Sequence, residues 1–488
     1  MKILQKKGDS LEILCMPSEL NFEIGDYLKI GDDENFLLTQ VIDVGYVELP
    51  GGTEDLLRDL VVDEIEAVSV IDPYNTSSLT SMIKEARTLT AKVRAVFDHG
   101  VLSMNSPWLP SRYSSKFEKA SGNFLMNAVI RDDGVYSFEV GKVGGEPFKL
   151  SLTRIDGSLS IITGKKESGK SHLAKILIEA IAVHGGTVLI FDVNGEYVNL
   201  DKTVEGFESV LASSLKVLNP GINFTASLSD MGLKTFLDIL EHVYHTPTTS
   251  LREIARIWKK IEKRYGKVSL ELLLEVVEHE NLNEAVREAL LSRLQSIQSS
   301  GFIRDENPTD FEALVQRRPL GNIMVVNLSK LLPSTRRLVV EFILSRLTSL
   351  LSQNKADPVF LLAEEAHLYL RETYWEDLVT RMRHIGVFPI LVTNQPDTIP
   401  EYVYRQADNI FLFNFANDSD LEKIAKISKI DSETVRILVK KMPPRTCLLL
   451  GKIVSDIPVV TKVRPSSLQT LGQTKLLFKK TNTVAQMG

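Results

Sequence analysis

The chain has 488 residues, 43% of them hydrophobic and 25% charged, with a formal net charge of −6; this is the make-up of a soluble globular protein of two or more domains. That charge excludes a whole-surface attraction to nucleic acid, so any such contact must come from local basic loops. No run approaches the roughly 20 apolar residues of a membrane span, and the start, Met-Lys-Ile-Leu-Gln-Lys-Lys-Gly-Asp, has no apolar signal core. No transmembrane segment of its own is expected. Two cysteines, Cys15 and Cys447, argue against a disulfide framework and suit a reducing cytoplasm.

From the start to about residue 150, short alternating or apolar stretches are broken by turn residues, which predicts a small β-barrel. Tyr27–Ile30 before Gly31-Asp32-Asp33, Leu37–Val44 and Thr90–Phe97 are strands of this kind, and Pro50-Gly51-Gly52 and Asn105-Ser106-Pro107 punctuate them. Leu79–Leu89 reads as one short helix. From 151 to 465 apolar strands alternate with helices, the pattern of an α/β core with a mainly parallel sheet covered on both faces. The strands predicted there are Leu159–Thr163, Thr187–Asp192, Ile323–Leu328, Val359–Ala363, Phe388–Thr393, Asn409–Asn414 and Cys447–Leu450. Between Ser250 and Arg304, Leu, Glu, Lys and Arg at helical spacing, for example Leu272, Leu273, Val276 and Val277, predict a helical insertion on that core. Residues 466–488 form a polar tail with Lys475, Lys479 and Lys480, loose unless it docks. Trp108, Trp258 and Trp375 are scattered and read as packing residues.

The strand Leu159–Thr163 runs into Gly164-Lys165-Lys166-Glu167-Ser168-Gly169-Lys170-Ser171, which fits the P-loop pattern G-x-x-x-x-G-K-[ST]. In such a loop backbone N–H groups wrap the phosphates of a nucleoside triphosphate, the lysine reaches the β and γ phosphates, and the last hydroxyl ligates Mg²⁺. Gly164, Gly169, Lys170 and Ser171 take those roles. From His172, apolar Leu173, Ile176, Leu177, Ala180 and Ile181 recur at helical spacing, so a helix N-terminus faces the phosphates. Glu167 stands where many such loops have glycine and brings an acid near a polyanion, so it must point outward.

A P-loop enzyme next needs a strand ending in carboxylates, and Val359-Phe360-Leu361-Leu362-Ala363-Glu364-Glu365 supplies one. Glu364 is assigned to the Mg²⁺ shell and Glu365 to the attacking water, the alternative being two acids that begin a solvated helix. Three further strand ends carry chemistry. Asp192 and Glu196 in Phe191-Asp192-Val193-Asn194-Gly195-Glu196-Tyr197 lie near the phosphates or else build an ordinary turn. Gln395, in Thr393-Asn394-Gln395-Pro396, is placed to sense the γ-phosphate. Arg381, Arg383 and His384 precede Gly386; an arginine here either reaches transferring phosphoryl charge across a subunit boundary or is plain surface.

Together these residues resemble the HerA-type hexameric ATPases of the HerA/FtsK group of RecA-like DNA motors, over nearly the whole chain. The marks are Asp-x-x-Gly-Glu-Tyr at 192–197, Glu-Glu-Ala-His at 364–367, and Arg-His-Ile-Gly at 383–386 followed by Thr-Asn-Gln-Pro. Val325-Val326-Asn327-Leu328-Ser329, Leu294 through Gly301-Phe302 and Pro458–Arg464 agree as well. The resemblance implies a ring of six subunits that holds ATP at subunit interfaces, translocates duplex DNA and works with a NurA-like nuclease in end resection. By the same resemblance Lys170 and Ser171 bind phosphate and Mg²⁺, Glu365 drives hydrolysis, Arg383 or Arg381 reaches the neighbour's nucleotide, and Gln395 senses it. Relatives often carry an Arg-His pair where this chain has Ser158-Leu159, so that arginine contact is either missing or supplied by Arg154.

Two other readings use the same machinery: a ring motor driving DNA transfer through a membrane channel, and a protein-remodelling ATPase. DNA-stimulated hydrolysis separates the last from the others. Lys330, Arg336 and Arg337 either face a channel or form a solvated loop, the plainer reading of three charges in so short a stretch. His242 and His245 lie three apart, a spacing that could put them on one helix face, without an evident third metal ligand.

Overall fold

The computed structural model describes residues 1–16, 19, 22–46, 86–99, 101–103, 108–130, 134–370, 372–415, 417, 420–422, 424, 431–440 and 442–469. They fall into two units: Met1–Leu173 with Asn394–Arg464, and Ala174–Thr393 with the residues from Pro465 onward.

The first unit opens with β1 (Lys2–Lys7), β2 (Ser10–Cys15), β3 (Tyr27–Gly31), β4 (Asn35–Tyr46), β5 (Arg87–Asp98), β6 (Val101–Ser103) and β7 (Lys116–Lys119). They pair antiparallel in the order β1-β2-β5-β4-β3-β7, with β6 on β5, so the all-β reading holds and β1 and β7 end the pairing order. Residues two apart on a strand share a face, and the pairs Leu11/Ile13, Leu28/Ile30 and Leu89/Ala91 accordingly meet in one core with Leu37 and Val41. The short helix predicted at Leu79–Leu89 is corrected in its described part: Arg87, Thr88 and Leu89 open β5 and pair with Cys15, Leu14 and Ile13. Arg-Thr-Leu-Thr-Ala-Lys-Val alternates at period two, and burial of Leu89 and Ala91 on one face favours the strand. Residues 79–85 and the turns at 50–52 and 105–107 lie outside the described residues.

After β8 (Ser137–Val143), β9 (Glu146–Ser151) and β10 (Ser160–Thr163), the chain enters the second unit. There β11 (Thr187–Asp192), β12 (Leu215–Leu218), β13 (Asn322–Asn327), β14 (Val359–Glu364) and β15 (Val387–Thr393) form a parallel array in the order β12-β13-β11-β14-β15. Its central strands are buried on both faces, hence their unbroken apolar sequences. The chain returns to the first unit as β16 (Asn409–Phe413), β17 (Thr446–Gly451) and β18 (Val459–Val463). β10 pairs with β16 in parallel, but β17, β18, β8 and β9 continue antiparallel. The strand predicted at Cys447–Leu450 is therefore present but runs against its neighbour. The β17–β18 connection is too short for a parallel crossover, and Gly144-Gly145, both at positive φ, close the β8–β9 hairpin.

The stretch predicted as a helical insertion holds helices Thr248–Tyr265, Leu270–His279 and Glu284–Ser299. Ser269 and Asn283 cap the second and third, and Gly266 ends the first in the left-handed region. Trp258 is buried here, 5.3 Å from Phe236 between ring centres, and Trp375 is buried elsewhere in the second unit. Trp108 packs half-buried on the first unit's β core. The described start of the polar tail docks on the second unit: Leu468 is buried and Gln469 N–H donates to Lys202 O at 2.8 Å. No helix of the described residues is long and apolar enough to cross a membrane.

Within the first unit, Asp431 ties β5 to the helix Ser432–Lys440. It accepts from Thr434 N–H at 2.8 Å, as an N-cap, and from Lys92 Nζ at 2.9 Å. Burial opposes its ionisation, but the Lys92 and Thr434 hydrogen bonds outweigh it and hold the carboxyl at about 2. A carboxylate pulled below its unfolded value contributes stability above that value and loses it as pH falls towards the folded one. Asp431→Ala is therefore expected to lower stability by about 1–2 kcal/mol at pH 7, read as a drop in thermal midpoint that narrows on acidification towards pH 2.

Candidate active site

β10 is buried throughout, and at its end the chain turns through Gly164 at φ +155°. A Cβ on Gly164 would meet Phe413 Cβ at 2.5 Å, so only glycine fits. The loop is anchored on both sides, since Lys165 N–H donates to Asn414 O at 3.0 Å and Arg445 N–H donates to Ser168 O at 2.7 Å. Lys170 is buried, and its Nζ donates to Gly164 O and Lys165 O at 2.8 Å each. The ammonium thus folds back onto the loop's own carbonyls. The helix Lys170–Val183 begins at that lysine, which sets its N-terminus at the loop with Ser171 and His172 half-buried in its first turn.

Lys165, Lys166 and Glu167 are exposed, so Glu167 points outward as the sequence requires. Its φ of +60° explains why glycine suits this position, because a side chain in the left-handed region costs about 1 kcal/mol or more. Glu167→Gly is expected to raise stability by about 1 kcal/mol and tighten nucleotide binding about two- to threefold by removing a screened like charge. Thermal midpoint and equilibrium nucleotide titration read the two effects separately.

In the second unit the strand ends gather acids. Asp192, at the end of β11, accepts from the backbone N–H groups of Gly195, Glu196 and Tyr197 at 2.7, 3.0 and 2.9 Å. Its carboxylate builds the turn, so the plainer of its two readings describes it, and Glu196 is what that turn carries. Glu364, ending β14, is buried; burial first, then the Glu196 and Asp192 carboxylates, push it up to about 8 against the opposing hydrogen bond from Asn194. Its Oε2 has no hydrogen-bond partner among the described residues. A buried acid crowded by acids, with an unused oxygen, fits a place in a divalent-cation shell.

Glu365 follows in the left-handed region at φ +46°, a strained conformation that turns its carboxylate off the strand. Thr393 Oγ1, ending β15, donates to Glu365 Oε2 at 3.1 Å, and His367 Nδ1 lies 3.7 Å from the same oxygen. These contacts orient the carboxylate. Among the described residues, no group of three or more His, Cys, Asp or Glu could hold a metal by itself. His242 is 3.9 Å from Glu241.

One residue beside these acids escaped sequence reasoning. Lys175, fully buried in the second unit, donates from Nζ to Gln469 O at 2.8 Å and lies 5.8 Å from the centre of the Tyr197 ring. Burial pushes it down to about 8, opposed by Glu196, Asp192 and Glu364; it is the cation that offsets this acidic group. Its position on a helix otherwise read as amphipathic gave no signal, because period alone does not reveal that a helix is covered on every side.

Arg381 is exposed, with Nη1 3.7 Å from Asp377 Oδ1. Arg383 is half-buried just before Gly386, which ends the helical segment at φ +111°. A π-helical turn, Leu378–Met382, precedes it, a device frequent at functional sites. Gln395, in the first unit, is exposed and caps the turn Pro396–Thr398. Arg154 does not stand free as a replacement arginine: it donates to Lys452 O at 3.0 Å, to Ser455 Oγ at 2.9 Å and to Ile130 O. Lys330 and Arg337 are exposed and Arg336 half-buried around the start of the helix Pro333–Ser352.

Comparison with known proteins shows what the chain is similar to. Residues 159–347 match the family model described as helicase HerA, central domain. The chain is 24% identical over 434 residues to the DNA double-strand break repair helicase HerA of Sulfolobus acidocaldarius, covering 83% of each chain. It is 24% identical over 477 residues to the protein of that name from Sulfurisphaera tokodaii, covering 88% of this chain and 90% of the relative. Among solved structures, VirB4 of Thermoanaerobacter pseudethanolicus shares the fold at TM-score 0.53 and 14% identity, over 69% of this chain and 98% of that one. With a P-loop opening the matched region and a carboxylate-ended strand beyond it, the chain is an ATP hydrolase whose central region is similar to that of helicase HerA.

Proposed function

We propose that this chain is an ATP-driven DNA translocase and helicase of DNA end resection, working as a hexameric ring on duplex DNA with a NurA-like nuclease. The observation that carries the reading is its likeness, over more than four fifths of both lengths, to chains named DNA double-strand break repair helicase HerA.

In this mechanism the loop Gly164–Ser171 wraps the ATP phosphates and Lys170 swings from the loop carbonyls to the β and γ oxygens. Ser171 and Glu364 hold the Mg²⁺ shell. When bound, Mg²⁺ neutralises charge on the terminal phosphates. Glu365 orients the attacking water and accepts its proton, Gln395 registers the γ-phosphate, and Arg383 or Arg381 of a neighbouring copy meets the developing charge. His172, Lys165, Lys166 and Ser168 frame the nucleotide, while Asp192 and Glu196 set the acidity around Glu364.

ATP turnover measured with and without duplex DNA tests the reading. A stimulation of about tenfold, falling steeply with salt as phosphate contacts are screened, is expected. Turnover indifferent to DNA but raised by unfolded polypeptide would replace the DNA motor with a protein remodeller. Co-purification with a membrane protein in place of a nuclease would move it to DNA transfer.

A further inference from the structure

Arg445 stands immediately before β17, with its backbone in the left-handed region at φ +60°. Both of its backbone groups are fixed there: N–H donates to Ser168 O and the carbonyl accepts from Val463 N–H, each at 2.7 Å. Its stem lies against the phosphate loop. A Cβ on Gly169 would come within 3.0 Å of Arg445 Cα and 3.3 Å of Cγ. The side chain is nevertheless exposed, and its guanidinium makes no hydrogen bond or ion pair with the described residues. Glycine would occupy this backbone geometry without strain. Strain retained at a position where glycine is the easier choice points to a use for the side chain, and no group of the described chain supplies that use.

We propose that Arg445 is a nucleotide-binding residue that acts in cis, its guanidinium engaging the phosphates that ATP and ADP share. The inference rests on Gly164–Ser171 being the phosphate loop. Arg445 touches Ser168 and Gly169, part of the loop whose backbone cradles the α and β phosphates, whereas Lys170 reaches onward to the γ end. A guanidinium offers several donors in a planar fork that matches phosphate oxygens, so it adds directed hydrogen bonds as well as charge. It also explains how the chain manages with Ser158-Leu159 ahead of the P-loop strand and with Arg154 occupied elsewhere: the arginine arrives from β17.

Arg445→Gly separates this role from a structural one, because glycine keeps the left-handed backbone and both of its hydrogen bonds. Its thermal midpoint is expected at or above that of the unaltered protein. Equilibrium titration with ATP and with ADP, in the presence of Mg²⁺, is expected to show affinity about tenfold weaker for both, with Arg445→Lys recovering part of it. Unchanged affinity in Arg445→Gly overturns the proposal, and so does a loss confined to ATP, which would put the guanidinium on the γ-phosphate. Lys170→Ala titrated in parallel distinguishes the underlying reading: if it also binds as the unaltered protein does, the phosphate loop itself is misassigned. If it alone is weakened, only the role of Arg445 fails.

Discussion

Glu365→Gln is expected to leave ATP affinity within about threefold while lowering turnover by about 10²–10³-fold, the range for removing a positioned general base. Glutamine keeps the volume and one acceptor oxygen, so the Thr393 Oγ1 hydrogen bond at 3.1 Å and the turn at φ +46° persist. What is lost is the proton acceptor. Its neighbour gives the contrasting result: Glu364→Gln removes a buried acid that burial and acidic neighbours push up to about 8, so its effect should appear in the Mg²⁺ concentration required. Single-turnover hydrolysis beside nucleotide titration distinguishes the two. Equal turnover in Glu365→Gln and the unaltered protein would transfer the water-activating role to another acid.

Lys170→Ala carries the second large effect. Its ammonium is buried and donates to Gly164 O and Lys165 O, carbonyls that a triphosphate oxygen outcompetes as a charged acceptor. Charge-assisted hydrogen bonds of this kind contribute about 1.5–3 kcal/mol, so ATP affinity is expected to fall about 10- to 100-fold and turnover with it. Folding should be little disturbed, since the glycines and backbone bonds that shape the loop stay in place. Circular dichroism and nucleotide titration on the same sample measure both.

Where pattern and burial coincide, the sequence was transparent. The strands ending at Asp192, Glu364 and Thr393 are continuous apolar runs because both faces of a parallel array are covered, and the loop lysine and acid pair follow such runs directly. Leu215–Leu218 was missed because Leu-Lys-Val-Leu is short and only partly buried, as suits the strand that ends the pairing order. Val459–Val463, with its polar Thr461 and Lys462, offered no longer run either. The helix predicted at Leu79–Leu89 failed over Arg87–Leu89, where pairing with β2 overrides a local preference. Lys175 and Arg445 share a different cause. Their roles depend on which groups lie beside them and on backbone angles, and neither is encoded in residue type or spacing. Glu167 shows the same limit: the sequence flags an acid where glycine is usual, while φ +60° gives the reason.

The central claim is that a triphosphate held at Gly164–Ser171 is hydrolysed with Glu365 as the base. An experimental structure of Glu365→Gln with ATP and Mg²⁺ tests it most directly. Lys170 Nζ is predicted about 3 Å from a β- or γ-phosphate oxygen, with the residue 365 side chain facing the γ-phosphate across a single water. ATP bound elsewhere, or a γ-phosphate with residue 365 out of reach of that water, would contradict it.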